Sequence, residues 1–352
     1  MKKLLALLLS LTLVFSLAGC GDKAEEPAEE PADATQEEPK NDQEDDQEDL
    51  ENIDIVLDWY PNAVHAFLFE AEKNGYFKDA GLKVNLIYPS NPTDPLTMAA
   101  AGKADFGLYY QEDIILAKAN ENVPVKVLGA VVQEPLDVIC SLKDKNIKTA
   151  ADLAGKTIGY TGVEFAETAV QEVLASAGLT MDDTKMVEVG FDLMSAMTTG
   201  NVDATFGCFI NHEIPALAEE GFDTNVILTT DNGVPNYCAL MLVTGEENLK
   251  NRKDVYAKFL DACRKGFEDV KADTEGALKL MMESQDAANF PLTESVERKS
   301  FETLLPMMEH EDAPFLTQKV EDWQNNIDWL KRTGMIKNTF APEDIMVDLD
   351  AQ

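Results

Sequence analysis

From residue 52 onward, apolar positions fall into two recurring forms. Short apolar runs of four to ten residues predict buried strands, and stretches with apolar residues every three or four positions predict amphipathic helices. Residues 53–57, 82–88, 104–109 and 123–132 read as strands, with helices over 63–74, 93–101 and 111–120 between them. Gly75 and Gly102 stand just past two of these helices, where a left-handed cap favours glycine. The alternation continues through strands at 138–142, 157–160, 185–189, 203–209 and 225–228, separated by helical runs at 150–153, 165–177, 193–199 and 213–220. After 237–243 the pattern turns helical, over 252–271, 275–284, 295–308 and 317–333. This order predicts an α/β fold with mostly parallel sheets and a helical C-terminal extension. Two runs, 137–142 and 236–243, bracket the middle unit and read as crossover strands between two lobes. The first lobe takes 52–138 plus 240–352 and the second 143–235.

The first 51 residues follow neither form. A basic start at Lys2 and Lys3, an apolar stretch over 4–17 and the small residues before Cys20 read as a secretory leader, too short for a comfortable membrane span. The string Leu17-Ala-Gly-Cys20 resembles a bacterial lipobox, which predicts a lipoprotein signal over 1–20 whose Cys20 is lipidated and becomes the mature N-terminus. Residues 21–51 read as an acidic, self-repelling tether. From Asp22 to Glu51 there are fifteen acidic residues against two lysines, thirteen of the chain's formal −36 charges. With the leader's two lysines also set aside, the body keeps 25 net negative charges, which argues against nucleic acid or an anionic lipid surface as its partner. Cys140, Cys208, Cys238 and Cys263 show no paired metal-ligand spacing, so the body is expected to hold no metal and no cofactor. If the two crossover runs pair, Cys140 and Cys238 come close enough for a disulfide.

Ligands of parallel sheets sit beyond the carboxyl ends of the strands, so the turns there carry the chemistry. Six such turns stand out: 58–65 (DWYPNAVH), 90–95 (SNPTDP), 110–113 (YQED), 161–165 (TGVEF), 190–192 (GFD) and 210–213 (INHE). They hold aromatic rings, amides and carboxylates, and not one Arg or Lys. A phosphate, sulfonate or carboxylate ligand usually draws a cationic clamp. A flat ligand rich in N–H groups instead needs stacking faces and carboxylate acceptors. The turns favour the second.

The same turns resemble the NMT1/THI5-like group of binding-protein-like domains. The resemblance rests on Asp58-Trp-Tyr-Pro-Asn62, Glu72-Lys-Asn-Gly-Tyr-Phe-Lys-Asp-Ala-Gly-Leu82, Pro92-Thr-Asp-Pro95 and Gly102-Lys-Ala-Asp-Phe106. It continues through Tyr110-Gln-Glu-Asp113, Leu153-Ala-Gly-Lys-Thr-Ile-Gly-Tyr160, Gly190-Phe-Asp-Leu193, Asn211-His-Glu213 and Gly233-Val-Pro-Asn-Tyr237. It spans about 53–265 with order and spacing kept. It implies a type II periplasmic-binding-protein fold: two α/β lobes, a two-strand hinge and a ligand between them. The implied activity is capture of a thiamine-precursor aminopyrimidine, hydroxymethyl- or formylaminomethyl-pyrimidine, for an ABC importer. Relatives that bind riboflavin leave that ligand, or another flat heterocycle, open. The group also contains a pyrimidine synthase that consumes its own histidine and holds pyridoxal phosphate on a lysine. The matching positions here carry Asp113 and Tyr109, and of that enzyme's cysteine-rich iron motif only Cys238 lies near the corresponding place. An enzyme is therefore not expected. A sensor or adhesion module would keep the cleft without a permease.

Individual residues carry competing readings. Trp59 is the candidate stacking face, against a core tryptophan. Asn62 and Asn211 suit helix capping as well as ligand contact. His65 fits a structural histidine or a ligand contact equally. Asp94, Tyr110 and Glu112 stand at first-lobe turns, where acids in a first helical turn also favour the dipole. In the second lobe Tyr160, Gly162 and Glu164 form one polar group, and His212 with Glu213 a second. Tyr237 lies where the returning crossover closes over a ring. The expected whole is a monomeric, extracytoplasmic, lipid-anchored binding protein that presents its closed form to a permease and that permease's ATPase.

Overall fold

The computed structural model describes residues 50–349. Its strands are β1 (Glu51–Val56), β2 (Leu82–Ile87), β3 (Phe106–Tyr109), β4 (Val125–Val132) and β5 (Asp137–Leu142). They continue as β6 (Thr157–Tyr160), β7 (Lys185–Glu188), β8 (Ala204–Phe209), β9 (Thr224–Leu228) and β10 (Leu240–Gly245). Helices α1 (Ala66–Lys73), α2 (Tyr76–Asp79), α3 (Asp94–Ala100), α4 (Gln111–Leu116), α5 (Glu164–Ser176), α6 (Leu193–Thr198) and α7 (Glu213–Glu219) separate the strands. The C-terminal helices are α8 (Glu246–Ala272), α9 (Thr274–Ser284), α10 (Glu294–Met308) and α11 (Val320–Thr333).

Two five-stranded sheets result, ordered β2-β1-β3-β10-β4 and β7-β6-β8-β5-β9. In the first, β1 runs parallel to β2 and β3, while β10 is antiparallel to β3 and β4. The second repeats the plan, with β6 parallel to β7 and β8 and β5 antiparallel to β8 and β9. The sheets are therefore mixed, not mostly parallel. Each takes in one strand, β10 or β5, directly after the chain has come over from the other lobe. That strand enters at the end where its neighbours leave, so it must run against them. This is the two-lobed type II architecture that the resemblance implies.

The first core is aromatic. Phe106 of β3 stacks on Phe259 of α8 at 4.4 Å between ring centres, and Phe259 stacks on Phe77 at 5.5 Å. Burying each such ring contributes about 1.5–3 kcal/mol. β4 buries every residue except Lys126, as a strand covered on both faces should. A second core joins β4 and β10 to α5 and α11. There Trp329 of α11 donates from Nε1 to Glu172 of α5 at 3.2 Å. Among the described residues, no helix is long and apolar enough to cross a membrane. The leader, Cys20 and nearly all of the tether lie outside the described residues.

The returning crossover departs from the predicted strand over 236–243, because β10 begins only at Leu240. Side chains satisfy the backbone before it. The Cys238 N–H donates to Gln111 Oε1 at 2.8 Å, and the Asn236 carbonyl accepts from Asn326 Nδ2 at 2.9 Å. With those groups already paired, no ladder is needed. The Cys140–Cys238 disulfide is likewise not formed. Cys140 lies in β5 between β8 and β9, Cys238 precedes β10 in the other sheet, and both are free, buried thiols.

Candidate functional site

A cavity lies between the sheets, walled by the turns that follow β1, β3, β6 and β8. The first lobe contributes Asp58, Trp59, Asn62, Val64, Tyr110 and Asp113. The second contributes Thr161, Val163 and Phe165 after β6, and Phe206, Gly207 and Phe209 within β8. Asn211, His212 and Glu213 follow β8, and Asp137 opens β5. Four carboxylates, two amides and five aromatic rings surround the space, without one lysine or arginine.

The turn after β1 explains its own crowding. Asn62 caps a 3₁₀ turn over Ala63–His65, its Oδ1 accepting from the Val64 N–H at 3.1 Å. His65 returns the bond, its Nδ1 accepting from the Asn62 N–H at 3.2 Å. That leaves the ring proton on Nε2, which donates to Asp58 Oδ1 at 3.0 Å. His65 is fully buried, so it positions Asp58 from behind instead of lining the cavity. Trp59 meets Phe191 of the second lobe edge-on, 4.4 Å between ring centres, and closes the rim. Tyr60 stacks on Phe290 beside it at 3.9 Å.

Asp113 reaches across the cleft. Its Oδ1 accepts from the Phe165 N–H at 2.9 Å, at the N-terminus of α5, while Oδ2 is buried without a hydrogen-bond partner. Burial pushes its carboxyl up to about 7; the Phe165 N–H pulls the other way and the Asp137 charge adds to the rise. Asp137 is also pushed up to about 7, by burial first, against the lowering bond from the Tyr237 hydroxyl. His212 behaves oppositely. Burial disfavours its charge, but Glu213 and then Glu297 outweigh burial and hold the imidazolium up to about 10.

Six residues expected at the site line the cavity: Trp59, Asn62, Tyr110, Asn211, His212 and Glu213. The other expected residues are placed elsewhere. Asp94 accepts from the Ser90 and Asn91 N–H groups, both at 2.8 Å, and closes its own turn. Glu112 is wholly buried beside Asp113 and Asp137, behind the lining, and burial raises its carboxyl well above the ordinary range. Tyr160 donates to Glu167 at 2.8 Å. Gly162 takes a positive φ of 95° on the surface, and Glu164 is exposed at the start of α5. Tyr237 is buried with its hydroxyl on Asp137 Oδ2 at 3.0 Å, so it braces the crossover. Asp58, Asp113, Asp137 and the rings of Phe165, Phe206 and Phe209 also line the cavity, and none of them is read as a ligand contact from sequence. Two of the acids stood inside the quoted turns.

A profile of the NMT1/THI5-like family matches residues 62–277. The chain belongs to this family. Within it, a formylaminopyrimidine-binding protein of Halalkalibacterium halodurans is 38% identical over 295 residues, covering 84% of this chain and 89% of that protein. A 4-amino-5-hydroxymethyl-2-methylpyrimidine phosphate synthase of Aspergillus parasiticus is 28% identical over 303 residues, covering 83% and 85%. Among solved structures, the alkanesulfonate-binding protein SsuA of Xanthomonas axonopodis pv. citri, bound to MOPS, superposes with a TM-score of 0.66. That match has 15% identity and covers 84% of this chain and 98% of the other, a likeness of fold. The type II fold of this NMT1/THI5-like chain is thus shared with binding proteins whose ligands differ widely.

Proposed function

We propose that this NMT1/THI5-like chain is the substrate-binding lipoprotein of an ABC importer and captures a thiamine-precursor aminopyrimidine between its lobes. The observation that carries the reading is the cleft without Lys or Arg, in which Asp113 keeps a buried oxygen unpartnered among three other carboxylates and five rings. An exocyclic amine donates two hydrogens, and a buried acceptor without a donor destabilises by about 1–3 kcal/mol, so amine and carboxylate complete each other. The 38%-identical relative, a formylaminopyrimidine-binding protein, supports the same ligand class. Against a sulfonate stands the absence of any Lys or Arg in the lining. Against synthesis stand Tyr109, buried in the core, and Asp113, at the places where the synthase pattern has lysine and histidine. Lipid attachment at Cys20 and delivery to a membrane permease complete the proposal.

A thermal-shift screen of the chain against formylaminomethyl- and hydroxymethyl-pyrimidine, thiamine, riboflavin and an alkanesulfonate tests it. A ligand at a hundred times its Kd stabilises by about 2.7 kcal/mol. A shift with an aminopyrimidine is expected. A shift with riboflavin alone keeps the binding-protein reading and replaces the ligand, and a shift with the sulfonate alone overturns the argument from the cleft.

A further inference from the structure

We propose that Glu297 of α10 is a positioning residue that latches the cleft shut, tying the first wall to the second through His212. The inference rests on the reading of the cleft as one that closes on its ligand. Glu297 is only 1% exposed and does not line the cavity. Its Oε2 accepts from the Ala63 N–H at 2.7 Å, in the capped turn of the first wall. Its Oε1 has no hydrogen-bond partner and lies 3.6 Å from His212 Nε2, which belongs to the second lobe. The other ring nitrogen, Nδ1, lies 3.0 Å from Glu213 Oε1, and Glu213 Oε2 accepts from the Phe209 N–H at 2.8 Å. A continuous polar chain therefore runs from Ala63 through Glu297, His212 and Glu213 to Phe209, across the gap between the lobes.

The imidazole in this chain has a carboxylate at each nitrogen. A neutral ring donates to only one of them, whereas a protonated ring serves both. One helical turn along α10, Ser300 accepts from Asn211 Nδ2 at 2.9 Å, a second tie to the same lobe without a charge. When the lobes part, Glu297 keeps Ala63 but loses the imidazolium. Only the closed arrangement brings the two charges together out of water, where their attraction is stronger.

The sign of the pH effect follows from the groups around His212, namely Glu213 on α7, Glu297 on α10 and, around the same cavity, Asp58, Asp113 and Asp137. His212 rises from its ordinary 6.5 to about 10 against the pull of burial, raised first by Glu213 beside it in the same lobe and then by Glu297 across the gap. Closure supplies only the Glu297 part of that rise, so the latch holds while the ring is protonated and is lost in the upper part of that range, as pH rises toward 10. Asp113 and Asp137 are raised from 3.8 to about 7 by burial, so their penalty on the closed form builds between those values and is constant above them. The His212 window extends beyond theirs, which makes the range above pH 7 diagnostic.

The test needs no ligand. Dyes on cysteines placed at the exposed Lys83 of β2 and Lys185 of β7, the matching edges of the two sheets, report closure of the full chain by energy transfer. The wild-type closed fraction is expected to fall from pH 7 to 10. Glu297→Gln keeps an acceptor for Ala63 but removes the charge. It should lower the closed-to-open ratio at pH 7 by roughly tenfold and flatten the profile above pH 7. His212→Gln should do the same, and the double variant should add little to either. Ser300→Ala should lower closure at every pH with the slope unchanged. Unchanged closure and an unchanged profile in folded Glu297→Gln and His212→Gln overturn the latch. A negative ligand screen would overturn the substrate reading and leave this result standing.

Discussion

The carboxylate of Asp113 commits one oxygen to the N–H of Phe165 in the opposite lobe and keeps the other buried and unpartnered. Those two facts pull on an Asp113→Asn substitution in opposite directions. In the empty protein the carboxyl is raised from 3.8 to about 7, so the closed form loses stability as pH climbs through that range. Asparagine still accepts from Phe165 and carries no charge, so ligand-free closure at pH 8 should rise by energy transfer. With an aminopyrimidine present, the lost charged acceptor should weaken binding about tenfold to a hundredfold by calorimetry, within the 1.5–3 kcal/mol of a charged hydrogen bond. Sequence pointed to Glu112, the neighbour, and the miss has a physical cause. Every residue of α4 is buried, so no amphipathic face reveals its rotation, and adjacent positions on a helix point about 100° apart. The turn at 58–65 was more legible, because a capping asparagine and a histidine three residues later suit a reciprocal pair of backbone bonds.

At the scale of elements, glycine marks a close helix contact in the first lobe. α8 lies against α1 so tightly that a Cβ on Gly266 would press into the Phe67 carbonyl and the Ala71 side chain. Gly266→Ala gains helix propensity of about 1 kcal/mol. It also forces apart two helices whose backbone cannot yield, typically unfavourable by 1–3 kcal/mol. The clash with a backbone atom decides the sign, so the variant should unfold at lower urea with an unchanged slope, and equal stability would refute the contact. Sequence located α8 through its spacing of apolar residues but not this partner, since two helices about 200 residues apart leave no local trace of their meeting. The same limit hid α10. Its periodicity predicted a C-terminal helix, yet nothing local showed that Glu297 and Ser300 would reach the second lobe. The antiparallel entry of β5 and β10 was equally silent, because strand direction within a sheet depends on where the chain arrives from.

For the whole molecule, composition divides the chain into parts with different physics. The body carries its binding cleft within residues 50–349, and the acidic stretch before it holds fifteen acidic residues against two lysines. Like charges along such a stretch repel one another, which suits the proposed role of a spacer between a binding body and a surface. Under the proposal the lipid alone holds the protein to a membrane, since 25 net negative charges on the body oppose an anionic surface. Two or more acyl chains on one cysteine hold stably, whereas one chain does so only marginally. Detergent phase partitioning of the protein expressed with its leader checks this. The native chain should enter the detergent phase, and Cys20→Ala should leave it in the aqueous phase. Ligand affinity should be equal in both, because the cleft and its supporting residues all lie beyond the tether. A Cys20→Ala variant that still partitions into detergent would move the anchor elsewhere. One that loses ligand binding would make the tether part of the site.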